Sequence, residues 1–591
     1  MSSWTVMFGV LVIACCAIST SAWPETSDCS IRAKTEAGWV CGTRRVGDFG
    51  LLYASFRGVP YAKQPLGDLR FKELQPPEPW EGFLDTTNEG PICPQQDPLY
   101  KRLMQPSGVS EACIHANIHV PVADLPWYSH GRPARGLVPP HEAGFDDDIL
   151  GISSGLPIVV FIHGGGFAFG SGDADVYGPE FLVSKRVIVI TFNYRLNVFG
   201  FLSLNSTSVP GNNGLRDMVT LLRWVRRNAR SFGGDPYDVT LAGQSAGASS
   251  AHLLSLSPAA EGLFKRVWLM SGVGLPIYFT TSPAFAQTAA TAFLTAMNIN
   301  STDPEEIHQI LVEAPLEKIM EANSIMLDMF GLYTFTPVVE SSHPGVTTII
   351  DEDPDVLVAR GRGKQIPLVV GFTNVECESF RKRFDQINFI SQVKANPLLV
   401  VSPHLLLTKP PTVLPSIANE IQDKYFNGTI NLDNTVKLCT DQYFKYPAFR
   451  LASMRSKTGG APMYLYQFSY DDVNSVLKEG WDISYTGAAH IEDMTYVLRT
   501  NSIVGNESLY ATLENEGLMK DWMTMLFTNY VQTGNPNRND DGFVGYWLPV
   551  NKHQIRYQDI CKPGESYGLK LTDNSLDTKR FFDSIFDKVT G

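Results

Sequence analysis

The chain has 591 residues, 44% of them hydrophobic and 18% charged, enough apolar material for a large packed core and too much for a disordered chain. Its 48 Lys and Arg stand against 61 Asp and Glu, a net charge of -13. Affinity for a phosphate backbone rests on clustered cations, so a nucleic-acid partner is not expected.

The first element is residues 4–18, WTVMFGVLVIACCAI, an apolar run too short to span a bilayer. Small Thr20 and Ala22 follow in the positions a signal peptidase favours, so 1–22 reads as a signal peptide and 23–591 as one secreted domain. The following residues contain no other apolar run long enough for a membrane span. Asn205, Asn300, Asn427 and Asn506 each open an Asn-x-Ser/Thr triplet and are candidate glycan acceptors in an exported chain. Loss of the leader also removes Cys15 and Cys16. Cys29, Cys41, Cys93, Cys113, Cys377, Cys439 and Cys561 remain, an odd set that leaves at least one thiol unpaired. Spacing suggests Cys29 with Cys41 and Cys93 with Cys113; closing the second loop would contribute about 3 kcal/mol by limiting the unfolded chain.

Six short apolar runs come next: PIVVFIH (157–163), VIVITFN (187–193), VTLAG (239–243), RVWLMSG (266–272), PLVVGF (367–372) and MYLYQF (463–468). Runs apolar on both faces suit strands covered on each side by helices. Between the second and third lies a helical period carried by Leu215, Met218, Leu222, Val225 and Ala229, with Arg216, Arg223, Arg226, Arg227 and Arg230 mostly marking the solvated face. Strand, helix, strand implies a mostly parallel sheet in an α/β fold. The Pro-rich stretch KPPTVLPS (409–416) reads as a loop or cap insertion.

Two stretches carry chemistry. In DVTLAGQSAGASS (238–250) Ser245 lies within Gly-x-Ser-x-Gly, a pattern expected about 0.3 times by chance in a chain this long. Its context adds weight: an apolar strand must turn sharply at Ser245 before a helix beginning at Ala246 and ending before Pro258, which exposes the hydroxyl at the sheet edge. Backbone N–H groups at that helix start favour developing negative charge. In VVFIHGGGFAFGSG (159–172) Gly164, Gly165 and Gly166 follow a strand, where bare backbone can approach a substrate oxygen. The dinucleotide-binding glycine spacing fails there and no phosphate-binding Gly-x₄-Gly-Lys loop occurs, so an oxyanion hole is the better account and no cofactor is expected. No Cys-x-x-Cys or His-Glu-x-x-His pattern suggests a bound metal.

Hydrolases with this elbow run Ser, then acid, then His along the chain. Glu376 follows the strand PLVVGF, but Glu378 and Asp385 remain open as the acid from the residues alone. Six histidines follow Ser245: His252, His308, His343, His404, His490 and His553. His252 lies on the nucleophile's own helix, about 10 Å along its axis, and is excluded. His490, behind Gly487, Ala488 and Ala489, has the freedom to reach the site.

With these motifs, and with FRGVPYAKQPLGDLRF, SEACIHANIHVP, NYRLNVFGFLSL, GNNGLRD, SFGGDP and GAAH, the sequence resembles the type-B carboxylesterase family of the α/β-hydrolase fold over nearly the whole mature chain. The resemblance implies Ser245 as nucleophile, Glu376 as acid, His490 as base, and Gly165, Gly166 and Ala246 as oxyanion donors. It also implies buried ion pairs Arg70–Glu111 and Arg195–Asp217, and matches Cys93–Cys113 to the family's first disulfide loop. Gln244 stands where most members carry glutamate, and Ala112 where an aspartate is common. The loop from Cys93 to Cys113 has no tryptophan, removing the aromatic platform that holds a quaternary ammonium, so choline esters are not expected. Cys377, beside the acid, reads as a packing residue.

The resulting expectation is a secreted serine carboxylesterase acting on a small-molecule ester through an acyl-enzyme, with acetate pheromones or odorant esters as substrates. A juvenile hormone esterase is the alternative within enzymes. A non-catalytic adhesion or binding member of the fold is the alternative outside them, disfavoured because Ser245, Glu376 and His490 are all present.

Overall fold

The computed structural model describes residues 29–588 except 98–103, 105, 127–154, 277–279, 332–333, 472–474, 504–513, 538–545, 554, 563–564 and 571–572. The signal-peptide reading of 1–22 and the acceptor Asn506 lie outside the described residues.

The six apolar runs all form strands. In chain order the strands are β1 (Arg32–Lys34), β2 (Trp39–Cys41), β3 (Thr43–Val46), β4 (Leu52–Pro60), β5 (Phe83–Asp85) and β6 (His115–Pro121). Then come β7 (Leu156–Ile162), β8 (Ile188–Phe192), β9 (Gly234–Gln244), β10 (Arg266–Met270), β11 (Leu368–Thr373), β12 (Met463–Phe468), β13 (Arg556–Lys562) and β14 (Glu565–Lys570). β1, β2 and β5 make a small sheet, and the other eleven form one sheet in the order β14-β13-β12-β11-β10-β9-β7-β8-β6-β4-β3. The seven central strands, β8 through β13 with β7 between β8 and β9, run parallel. The flanking pairs β6–β8, β4–β6, β3–β4 and β13–β14 are antiparallel.

The doubly apolar runs have the burial such a sheet requires. Along β7, Ile158, Val160 and Ile162 enter one core cluster while Val159 and Phe161 enter the other. Successive strand residues point to opposite faces, so both faces of the sheet are covered. The strand order reverses at β7, whose neighbours are β8 on one side and β9 on the other. Loops leaving the carboxyl ends of strands at such a reversal diverge and leave a crevice, the usual place for a ligand in an open α/β sheet.

The predicted helix spans Asn213–Asn228, and Leu215, Met218, Leu222 and Val225 are buried as its period requires. Arg216 departs from the expected solvated face: it is 1% exposed and paired with buried Glu340. The ion pair, together with bonds from the guanidinium to the carbonyls of Gly211 and Thr347, satisfies a charge that periodicity alone assigns to water. KPPTVLPS is a loop only in its first half; a turn leads into the helix Leu414–Tyr425, with Pro415 in its first turn. Arg195 and Asp217 are bonded at 2.6 Å in the interior, and Arg70 meets Glu111 with two guanidinium nitrogens.

Cys29–Cys41 and Cys93–Cys113 are disulfides. Cys377, expected as a packing residue, is instead bonded to Cys439 across 62 residues, because the fold brings two buried thiols together; among the described residues this leaves Cys561 outside a disulfide. Asn205, Asn300 and Asn427 are exposed.

Candidate active site

Ser245 sits where β9 ends and the helix Ala246–Leu256 begins. Its backbone has φ 57 and ψ -123, a conformation costly for a residue with a Cβ. Two backbone bonds hold it there: its N–H donates to the Met270 carbonyl at 2.8 Å, and its carbonyl accepts from Ser249 N–H at 2.9 Å. The turn is so tight that a Cβ on Gly247 would lie 2.1 Å from the Ile162 carbonyl oxygen, at the end of β7. The glycine therefore lets the helix behind Ser245 press against the strand that launches the glycine loop.

That loop is tied down as firmly. Gly165 has φ 103, and a Cβ there would fall 1.9 Å from the Phe169 carbonyl oxygen. Its own carbonyl accepts from Ala168 and Phe169. His163 stacks on Tyr194 at 4.3 Å, and burial pushes its imidazole down to about 4, so it stays neutral beside the loop. Among the described residues the N–H groups of Gly165, Gly166 and Ala246 donate to no other group. Ala246 is the first helical residue, whose N–H has no intrahelical acceptor by geometry. Donors left open among the described residues on both sides of the serine could serve a developing oxyanion.

Glu376 lies just beyond β11 and is fully buried. One carboxylate oxygen accepts from Thr373 N–H at 2.7 Å; the other lies 2.7 Å from His490 Nδ1. An ionised carboxylate can only accept, so Nδ1 carries the proton and Nε2 presents a lone pair. The two segments are also laced through backbone: His490 N–H donates to the Glu376 carbonyl at 3.1 Å, Val375 N–H to Ala488, and Ser379 Oγ to the His490 carbonyl. His490 is 2% exposed, with the rings of Phe444 at 4.8 Å and Phe380 at 5.5 Å. Phe444 is carried by the π-helical turn Asp441–Lys445, an irregularity that re-aims side chains and is frequent at functional sites.

The other candidates are elsewhere. Glu378 forms a bidentate ion pair with Arg381, and Asp385 is exposed. His308 bonds the Arg70 carbonyl, His343 bonds Asn205, His404 stacks on Phe586, and His553 is exposed.

Several neighbours had little signal in the sequence. Gln244 was visible as a departure beside the serine, but not as a neighbour of the imidazole; its amide nitrogen lies 3.1 Å from His490 Nε2. Glu492 and Asp493, two acids directly after His490, could have been singled out by position. Glu492 accepts from Ala489 N–H and the Tyr485 hydroxyl, and burial pushes its carboxyl up to about 7. Asp493 accepts from the Tyr466 hydroxyl at 2.6 Å, and burial pushes it up to about 6. Phe380, Phe444 and the Cys377–Cys439 bond depend on long-range packing and had no local signature.

Against known proteins, a family model described as the carboxylesterase family matches residues 29–579. The chain is 51% identical over 585 residues to the juvenile hormone esterase of Heliothis virescens, covering 99% of each. It is 29% identical to the juvenile hormone esterase of Tribolium castaneum, covering 94% of this chain and 92% of that one. The crystal structure of the juvenile hormone esterase from Manduca sexta, with OTFP covalently attached, aligns with a TM-score of 0.87 at 53% identity, covering 94% of this chain and 99% of that one.

Proposed function

The chain belongs to the carboxylesterase family, and on that premise we propose that Ser245, His490 and Glu376 carry its ester hydrolysis and that juvenile hormone is the ester it cleaves. It is a carboxylic-ester hydrolase of the serine type. In the proposed reaction His490 Nε2 takes the proton of the Ser245 hydroxyl as the oxygen attacks the ester carbonyl. Glu376 holds the imidazole in the Nδ1–H form and stabilises its cation. The carbonyl electron pair moves onto oxygen, facing the N–H groups of Gly165, Gly166 and Ala246. The alcohol departs with the proton from Nε2, and water then repeats the sequence on the acyl-enzyme.

The observation that carries the substrate is the 53% identity and 0.87 TM-score to a juvenile hormone esterase over nearly the full length of both chains. The phenyl rings of Phe380 and Phe444 pack beside His490, apolar neighbours that are compatible with a lipophilic ester. The expected odorant acetates have no comparable support. We place the mature protein outside the cell: its three disulfides fit an oxidising compartment, and no helix among the described residues is long and apolar enough to cross a membrane.

Two measurements test this reading. Ser245→Ala should abolish measurable ester turnover with folding intact, and retained turnover would overturn the assignment. For the substrate, kcat/KM for juvenile hormone should exceed that for a panel of short acetates; the reverse ranking returns the odorant-degrading reading.

A further inference from the structure

His490 Nε2 must accept the Ser245 proton, yet its bond among the described residues is to Gln244, whose amide nitrogen lies 3.1 Å away. Gln244 is fully buried at the end of β9. Its other amide atom, Oε1, is buried and has no hydrogen-bond partner among the described residues. A Cβ on Gly164 would lie 2.5 Å from that oxygen, so the amide occupies space left by the missing side chain of the oxyanion loop. A buried carbonyl without a donor is costly, about 1–3 kcal/mol in general. The cost is explained if the oxygen has a partner at another stage of the reaction.

That partner is the imidazolium. While His490 is neutral, the Gln244 N–H donates to the Nε2 lone pair. Once the Ser245 Oγ–H bond breaks and its proton occupies that lone pair, two donors face each other across the same gap. A half-turn of the amide about its last torsion replaces the clash with an Nε2–H···Oε1 bond and gives the orphaned carbonyl its donor. When the alcohol takes the proton from Nε2, the amide turns back.

We propose that Gln244 is a positioning residue for this reaction, a rotating amide that donates to neutral His490 and accepts from it after proton transfer. The inference rests on the triad reading above. A glutamate at this position could only accept, so glutamine serves both protonation states where a carboxylate serves one. Among the described residues, the titratable groups around this centre include Glu376 at Nδ1, Asp493 on the turn after His490 with the Tyr466 hydroxyl that bonds it, Glu492 beside Ala489, and Lys445, which pairs with Asp441 on the π-helical turn. They are unchanged in the variants below, so differences between variants report on residue 244.

The experiment compares wild type, Gln244→Glu and Gln244→Met in pH profiles of kcat and kcat/KM, with organophosphate titration to count active sites. A carboxylate beside the imidazole favours its protonated form, so Gln244→Glu should move the acidic limb of kcat/KM to higher pH by about one unit or more. Gln244→Met fills similar volume but cannot accept from the cation, so kcat should fall about 10- to 100-fold with KM within a few-fold of wild type. A wild-type kcat in Gln244→Met, or an unmoved acidic limb in Gln244→Glu, overturns the proposal. If Gln244→Met does not fold, the pH dependence of organophosphate labelling in Gln244→Glu decides alone. Failure to label Ser245 in the wild type would instead sink the triad reading, so the two failures are told apart.

Discussion

Gly247→Ala probes the packing that holds Ser245, the proposed nucleophile, against the glycine loop 164–166. A Cβ at this position would stand 2.1 Å from the Ile162 carbonyl oxygen and 2.6 Å from that of His163. Carbon and oxygen settle at about 3.3 Å or more, so the helix Ala246–Leu256 must retreat from β7 by about 1 Å. The obstacle is backbone on both sides, which no rotamer change relieves. The retreat carries Ser245 and Ala246 N–H away from Gly165 and Gly166, and a misplacement of about 1 Å costs about 100-fold in rate. Overpacking of this kind costs a further 1–3 kcal/mol or so of stability. The assay is kcat/KM on a chromogenic ester, corrected for active-site concentration by organophosphate titration, with Tm by differential scanning fluorimetry. Gly108→Ala is the control, since its added Cβ meets nothing within 4 Å and its backbone is not left-handed. Turnover and Tm at wild-type levels in Gly247→Ala would refute the claim that the helix and the glycine loop are held in register by this contact.

Two further perturbations follow from the structure. Burial raises Glu492 from 4.5 to about 7, so the folded chain binds that proton more tightly than the unfolded chain; the associated stability is fully present below about pH 4.5 and is lost as pH rises through about 7. Glu492→Gln mimics the protonated form and should match wild type near pH 5 yet exceed it above pH 8, by up to about 3 kcal/mol. A Tm difference that does not grow with pH argues against this. The Cys377–Cys439 bond closes 62 residues against 12 for Cys29–Cys41. Its removal as a double alanine variant should therefore lower stability by about 4 kcal/mol against about 3 for the shorter loop. Cys377 adjoins Glu376 and its N–H bonds Thr440 Oγ1 at 3.1 Å, so the longer bond's loss should also lower kcat. A larger Tm loss from the Cys29–Cys41 variant reverses the ranking and defeats the argument.

The sequence by itself determined the layered α/β fold and the strand-to-helix turn that carries Ser245. Both are local properties: runs apolar on two faces must be covered on two faces, as in β7, and a strand entering a helix through Gly243, Ser245 and Gly247 leaves few ways to turn. Tertiary structure decided the partners. Glu376 rather than Glu378 or Asp385 meets His490, 114 residues away, because the loop beyond β11 turns one carboxyl inward and leaves Glu378 to Arg381 and Asp385 to water. The same holds for the Gln244 contact across 246 residues, for Arg216 drawn inside by Glu340, and for Cys377 joined to Cys439. Periodicity records whether a side chain is buried, but the identity of its neighbour is set by where distant strand ends converge, and no local spacing encodes that.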